Sequence, residues 1–201
     1  NKGDLTNTLT INGNNSVSGG GSLTMTSGLV VLPEGGDFNI NAAGGLTIPL
    51  QAGFEVSGGT LTTGNFAVIN EGLINVSSGS AVFGTASGNE LQIRARGAFV
   101  VTGGTATIAG ALNNAASGTA SQNITPGVTV TGGTVLLCTA GNRLSTLASL
   151  YVTATGNFSF SGGTIVFQRP SNATNETDLN LIPGSGTKNT DGGTFQFGNS
   201  Y

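Results

Sequence analysis

The sequence predicts an all-β chain wound as a parallel, right-handed β-helix, a β-solenoid with coils of about 20 to 30 residues. Three observations predict it. A glycine corner recurs along the chain, apolar residues alternate on either side of that corner, and hydroxyl and amide side chains stand where charges would ordinarily be.

The corner comes first. It reads "FEVSGGTLTTG" at 54–64, "FVVTGGTATIAG" at 99–110, "VTVTGGTVLLCTAG" at 128–141, "FSFSGGTIVFQ" at 158–168 and "TDGGTFQFG" at 190–198. The threonine after each Gly-Gly falls at Thr60, Thr105, Thr134, Thr164 and Thr194, so the last four are almost evenly spaced and only the first gap is too long. "INVSSGSAVFG" at 74–84 places Ser80 in the threonine position and splits that long gap in two. A near-constant interval in the range of about 20 to 50 residues marks stacked units. "SVSGGGSLTM" at 16–25 reads as a first, weaker copy, and "INAAGGLTIPL" at 40–50 as another, although its Leu46 stands too close to Thr60 for a full coil.

The alternation comes next. Phe54 and Val56, Ile74 and Val76, Phe99 and Val101, Val128 and Val130, and Phe158 and Phe160 stand four and two places before the paired small residues. That is the period-two pattern of a strand with one buried face. Alternation resumes after the corner in "TIVFQ" and "TFQFG", so each unit is strand, corner, strand and a more variable return. One such unit cannot bury its apolar face alone, whereas stacked copies bury it against each other. The expectation is therefore one segment over 1–201, irregular at 1–53 and regular at 54–198. At about 4.8 Å per coil, seven or eight coils make a rod of roughly 35 Å. The last copy departs from the pattern, with Lys188 and Thr190 at expected apolar positions. The rival fold is an antiparallel sandwich, which also uses short strands and Gly-rich turns but does not require a recurring corner. Neither end carries an obvious polar or helical cap, so the chain is expected to continue on both sides.

Charge is scarce at the surface. There are 35 glycines and 7% charged residues, where an ordinary domain carries about 25% charged. Glycine does not recur every third residue, which excludes collagen. Alternating apolar residues inside the Gly-rich stretches exclude a flexible linker.

The same composition bounds function. Net charge is −3, and Lys2, Arg94, Arg96, Arg143, Arg169 and Lys188 are scattered, without the basic cluster that nucleic acid requires. No apolar run approaches the roughly 20 residues of a membrane helix, so no membrane insertion is expected. Cys138 is the lone cysteine and no histidine is present, which leaves no ligand set for zinc or an iron–sulfur cluster. Cys138 reads as a small buried hydrophobe in a strand. The nine acids are Asp4, Glu34, Asp37, Glu55, Glu71, Glu90, Glu176, Asp178 and Asp191, mostly far apart, although stacking could gather Glu34, Asp37, Glu55 and Glu71. No catalytic residue, cofactor or metal site is assigned, and the chain reads as a non-enzyme. A polysaccharide lyase or hydrolase is the third reading, because this architecture also carries such enzymes.

Three binding chemistries stay open. "NETD" offers Glu176 and Asp178 as calcium ligands, without the repeat motif of calcium-binding solenoids. An ice-binding face would use regular Thr-x-Thr, and such triplets stand at 8–10, 24–26, 60–62, 105–107 and 153–155, though not at one register. A carbohydrate module would favour exposed aromatics, yet there is no Trp and only Tyr151 and Tyr201. Sequons begin at Asn14, Asn75, Asn123, Asn157, Asn172 and Asn175, a number that Asn, Ser and Thr abundance produces by chance.

"VSGGTL", "VTGGTV", "FSGGTIVFQ" and "GGTFQFGNS" resemble the Gly/Thr/Asn-rich repeats of very large bacterial surface proteins, and "GGTFQFG" is similar to repeats in giant secreted proteins of the Bacteroidota. The resemblance covers 54–198. It implies a secreted, cell-surface segment of an adhesin or filament used in attachment or gliding. Its implied partners are adjacent repeats of the same polypeptide, the secretion machinery, and surface glycans or abiotic surfaces.

Overall fold

Thr, Val, Ile and Phe at alternate positions favour extended backbone, and the glycines between them allow it to bend without a loop. In the computed structural model, which describes residues 5–114, 127–140, 148–168 and 178–198, these stretches form strands, with no helix among the described residues. The strands recur in the same order along the chain, and each recurrence is called a circuit here. The first circuit is β1 (Thr8–Thr10), β2 (Gly13–Gly19) and β3 (Leu23–Thr24); the second is β4 (Gly28–Pro33), β5 (Gly36–Ala42) and β6 (Leu46–Ile48). The third is β7 (Ala52–Thr63) and β8 (Val68–Asn70), and the fourth is β9 (Leu73–Phe83) and β10 (Leu91–Ile93). The fifth comprises β11 (Ala98–Val101), β12 (Thr105–Ile108) and β13 (Leu112–Asn114). The sixth is β14 (Val128–Leu137) and β15 (Leu150–Val152), the seventh β16 (Phe158–Phe167) and β17 (Leu179–Leu181), and β18 (Lys188–Phe197) opens an eighth.

Two sheets result. The first runs β1-β4-β7-β9-β11-β14-β16-β18, with β2, β5 and β12 extending the same ladders beyond the corner; the second runs β17-β15-β13-β10-β8-β6-β3. All seventeen strand pairings among the described residues are parallel, and each joins one circuit to the next. That pairing removes the antiparallel sandwich.

The corner ladder is continuous. Thr60 pairs with Ser80, Ser80 with Thr105, Thr105 with Thr134, Thr134 with Thr164 and Thr164 with Thr194. Ser80 thus occupies the expected threonine position. The ladder also extends backward, through Asp37 opposite Thr60 and Asn14 opposite Asp37. The described part of 1–53 therefore joins the same sheets despite its irregular sequence.

Two sequence copies are reassigned. Leu23 pairs with Leu46, so "GGGSL" and "AGGL" mark the passage from the first sheet to the second, not the Gly-Gly-Thr corner. The span from Leu46 to Thr60 is short because it joins two different corners and covers only part of a circuit. The true copy in the second circuit is "VLPEGGDF", in which Asp37 replaces threonine.

The two glycines of the corner serve different ends. At Gly103 a Cβ would fall on the carbonyl oxygen of Ser77 in the preceding circuit. At Gly104, φ is +63° and a Cβ would lie 2.6 Å from the Gly79 carbonyl oxygen. In this circuit the first glycine is required by stacking and the second by both stacking and left-handed backbone, whereas the fourth circuit admits Ser78 at the first position. The corner also changes the phase of alternation. Val128 and Val130 are buried before it, Val135 and Leu137 after it, and the odd step from 130 to 135 keeps both segments facing one core.

The core is a set of ranks, each crossing the circuits. Phe54, Ile74, Phe99, Val128 and Phe158 form one, and Val56, Val76, Val101 and Val130 another. Phe54, Phe83, Phe99, Phe158, Phe160 and Phe167 are fully buried, as the alternation predicts. The last circuit differs: Lys188 lies opposite Phe158 in the apolar rank. Its Nζ donates to the carbonyls of Ala154 at 3.0 Å and Gly186 at 3.1 Å, and desolvation lowers its pKa below the usual lysine value. The unfolded chain then holds this proton more tightly than the folded one, so stability rises as pH climbs from the lowered pKa toward the ordinary value near 10.5. Thermal unfolding followed as pH is raised toward 10.5 should show this small alkaline gain, and Lys188→Met should lose it.

Cys138 is buried but not in a strand. It follows β14 at a φ of 57°, the place that Gly84 takes after β9 at 80° and Gly198 after β18 at 91°. The place is not reserved for glycine, since Ala109 and Gln168 hold it in the fifth and seventh circuits.

Asn70 breaks the apolar rank between Ile48 and Ile93. Fully buried, its Nδ2 donates to the Ala98 carbonyl at 2.9 Å, while its Oδ1 accepts the Gly72 amide at 3.1 Å. The side chain thereby ties the end of β8 in the second sheet to the start of β11 in the first, 28 residues on. Asn70→Ala leaves buried backbone groups without this partner and should cost about 2 to 3 kcal/mol, measured as a shift of the urea unfolding midpoint.

Candidate functional site

Because side chains alternate across a strand, the segment after each corner turns one set of residues outward. Two outward ranks cross all eight circuits. The first is Asn14, Asp37, Thr60, Ser80, Thr105, Thr134, Thr164 and Thr194; the second is Ser16, Asn39, Thr62, Val82, Thr107, Leu136, Val166 and Gln196. Rungs are about 4.8 Å apart, and the two ranks stand two residues, about 6.7 Å, apart.

The chemistry changes along this face. The first rank is polar throughout. The second carries Val82, Leu136 and Val166 in its later part, whereas both ranks are polar over the first three circuits. There the face sinks into an open trough of about 370 Å³, walled by Asn14, Asp37 and Thr60 on one side and Ser16, Asn39 and Thr62 on the other. Asn15 and Phe38 lie between the walls. Phe38, the one aromatic among the lining residues, is half-buried and packs against the core, 6.3 Å from Phe54. Asp37 is the only ionisable group among its lining residues.

The Thr-x-Thr triplets separate onto different surfaces. Thr60 and Thr62 share this face with Thr105 and Thr107, two circuits on, with Ser80 and Val82 between them. Thr8 and Thr10 lie on the segment before the corner, Thr24 is in the second sheet, and Thr153 and Thr155 follow β15.

Glu34, Asp37, Glu55 and Glu71 do not gather into one site. Asp37 is on the face after the corner, Glu55 lies between Val31 and Asn75 on the segment before it, Glu34 is in the corner after β4, and Glu71 follows β8. Among the described residues no three His, Cys, Asp or Glu side chains are placed to hold a metal ion. Of the calcium candidates, Asp178 accepts a hydrogen bond from Ser149 Oγ at 3.3 Å, and Glu176 lies outside the described residues. Arg94 is engaged in structure: its Nη2 donates to Gln92 Oε1 at 2.6 Å, and Gln92 Nε2 donates to Glu90 Oε2 at 3.2 Å. Asn113 Nδ2, one circuit on, reaches the same Glu90 oxygen at 3.3 Å.

Among the sequon asparagines, Asn14 is exposed in the trough wall, Asn75 is half-buried, and Asn157 Oδ1 accepts the Thr187 amide at 2.8 Å. Asn123, Asn172 and Asn175 lie outside the described residues.

The trough was not singled out by the repeat. Its rungs replace threonine by Asp37 and Asn14, which hides them from a Gly-Gly-Thr search. The usable signal is spacing: Asn14, Asp37 and Thr60 are evenly spaced along the chain, and Gly35-Gly36 precedes Asp37.

Comparison with protein-family models, with curated proteins and with solved structures found no match.

Proposed function

We propose that the chain is a right-handed parallel β-solenoid serving as a structural and adhesive segment of a large extracellular bacterial surface protein, a rigid rod used in attachment or gliding. The observation that supports this reading is the unbroken in-register ladder from Asn14 to Thr194. Every circuit is tied to the next by backbone hydrogen bonds and by a shared apolar core, so a load along the axis is spread over many bonds at once. Right-handedness follows from the strong preference of parallel crossovers for that hand. The outward hydroxyl and amide groups with little charge suit a hydrated surface facing cell walls or solid surfaces. In this reading the rod's partners are neighbouring repeats, the secretion machinery, and surface glycans or abiotic surfaces.

Antibody raised against the chain tests it. Labelling of intact source cells, a blot band far larger than this chain, and loss of attachment when Fab fragments are added are the expected results. A free intracellular species of this chain's own mass, 19.8 kDa, or attachment unaffected by Fab, overturns the proposal. The second reading, an ice- or carbohydrate-binding module, is favoured by one observation, the polar trough across the first three circuits.

A further inference from the structure

We infer that the trough between the two outward ranks is a binding site for an uncharged polysaccharide, which lies along the axis of the stacked circuits. This assigns a ligand to the second reading and does not require the chain to be a load-bearing rod.

Four features carry the inference. The trough spans three rungs, about 10 Å, and its 370 Å³ is of the size that holds a small-molecule ligand. Its walls alternate amide, carboxylate and hydroxyl groups: Asn14, Asp37 and Thr60 face Ser16, Asn39 and Thr62. These groups both donate and accept, matching a sugar chain that presents hydroxyls along both edges. The Asp37 carboxylate accepts two hydrogen bonds at once, which suits a vicinal diol. With Asp37 as the only ionisable lining residue and no Lys or Arg there, a uronate, sulfate or phosphate polymer would meet repulsion without a compensating cation.

The same features argue against ice. An ice-ordering face needs identical short side chains in a flat array, and the walls here combine side chains of three lengths around a depression. The polar lining sets the strength. Hydrogen bonds made in competition with water, beside a single half-buried ring at Phe38, imply a dissociation constant on the order of 1 mM.

The test is a two-dimensional NMR titration of the whole chain with cellohexaose, chitohexaose and hexagalacturonate, each to about 20 mM. At least one of the neutral oligosaccharides should give saturable shifts centred on residues 14–16, 37–39 and 60–62, while hexagalacturonate should give weaker ones. Asp37→Ala should weaken that binding by about fivefold or more, the size of one or two lost hydrogen bonds. Thr134→Val, on the same rank but outside the trough, should leave it unchanged, and the unperturbed remainder of each variant's spectrum reports that it is folded. Absence of saturable shifts with both neutral oligosaccharides, shifts centred elsewhere, or equal binding of hexagalacturonate overturns the inference. So does thermal hysteresis that Thr60→Val abolishes, which assigns the face to ice. None of these outcomes bears on surface labelling of cells, so failure here and failure of the rod reading are told apart.

Discussion

Gly133→Ala is expected to cost about 3 kcal/mol or more, while Gly13→Ala should cost about 1 kcal/mol, although both glycines have left-handed backbone. The φ values are nearly the same, 68° at Gly133 and 78° at Gly13, so the conformational penalty of a Cβ is common to both. What differs is the space. A Cβ at Gly13 meets nothing within 4 Å, because Gly13 belongs to the first described circuit and has only the following circuit, at Gly36, beside it. A Cβ at Gly133 would stand 2.6 Å from the Gly103 carbonyl carbon and the Gly104 carbonyl oxygen of the preceding circuit. That Gly104 oxygen accepts the Thr134 amide at 2.9 Å, so the backbone can retreat only by lengthening a bond between circuits. The difference between the two variants, read from urea unfolding midpoints, isolates the contact between circuits from the conformational term. Equal costs would mean that the circuits do not press on each other at the corner.

Phe99→Ala should cost about 3 to 5 kcal/mol, whereas Val100→Ala, one residue on, should stay within about 0.5 kcal/mol. Phe99 is fully buried, in register between Ile74 and Val128, and its ring meets Phe83 edge-on at a centroid distance of 6.2 Å. Truncation removes a large apolar surface and leaves a cavity that the flanking ranks cannot close, because their backbones are fixed by the ladder. Val100 points the other way, into a half-exposed outward rank beside Asn75 and Thr129. Denaturation of the two variants side by side tests the assignment of faces. A larger loss at Val100 would show that the register is shifted by one residue.

These predictions rest on features that the sequence displayed unequally. Phe99, Val101, Val128 and Val130 were legible because a half-buried strand imposes strict alternation, and alternation survives in any one copy. The Gly-Gly-Thr corner was legible because the preceding circuit's backbone excludes a Cβ at the second glycine position in successive circuits, at Gly59, Gly79, Gly104, Gly133 and Gly163. The first two circuits were obscure for a physical reason as well. There the corner ladder needs only an outward polar residue, and Asn14 and Asp37 satisfy it as well as threonine does. Gly44-Gly45 misled because a second corner also uses glycine, where Gly45 has a φ of 85° and a Cβ at Gly44 would strike Ser22. The trough was not legible at all, since it arises from side chains brought together across three circuits. Lys188 was visible as a break in the apolar pattern; its role, donating to two carbonyls beside the core, needed coordinates.

Corner residues far apart in sequence, such as Thr60 and Ser80 or Thr134 and Thr164, stack in register along one axis. Distances between paired spin labels test this stacking most directly, in a Cys138→Ala background with cysteines introduced at Asn14, Thr60 and Thr194 two at a time. Thr60 and Thr194 are five rungs apart and Asn14 and Thr194 seven, so the separations should be about 24 Å and about 34 Å, growing in proportion to rung number. A separation for the Asn14–Thr194 pair no greater than that for Thr60–Thr194 would contradict the stacked arrangement and everything argued from it.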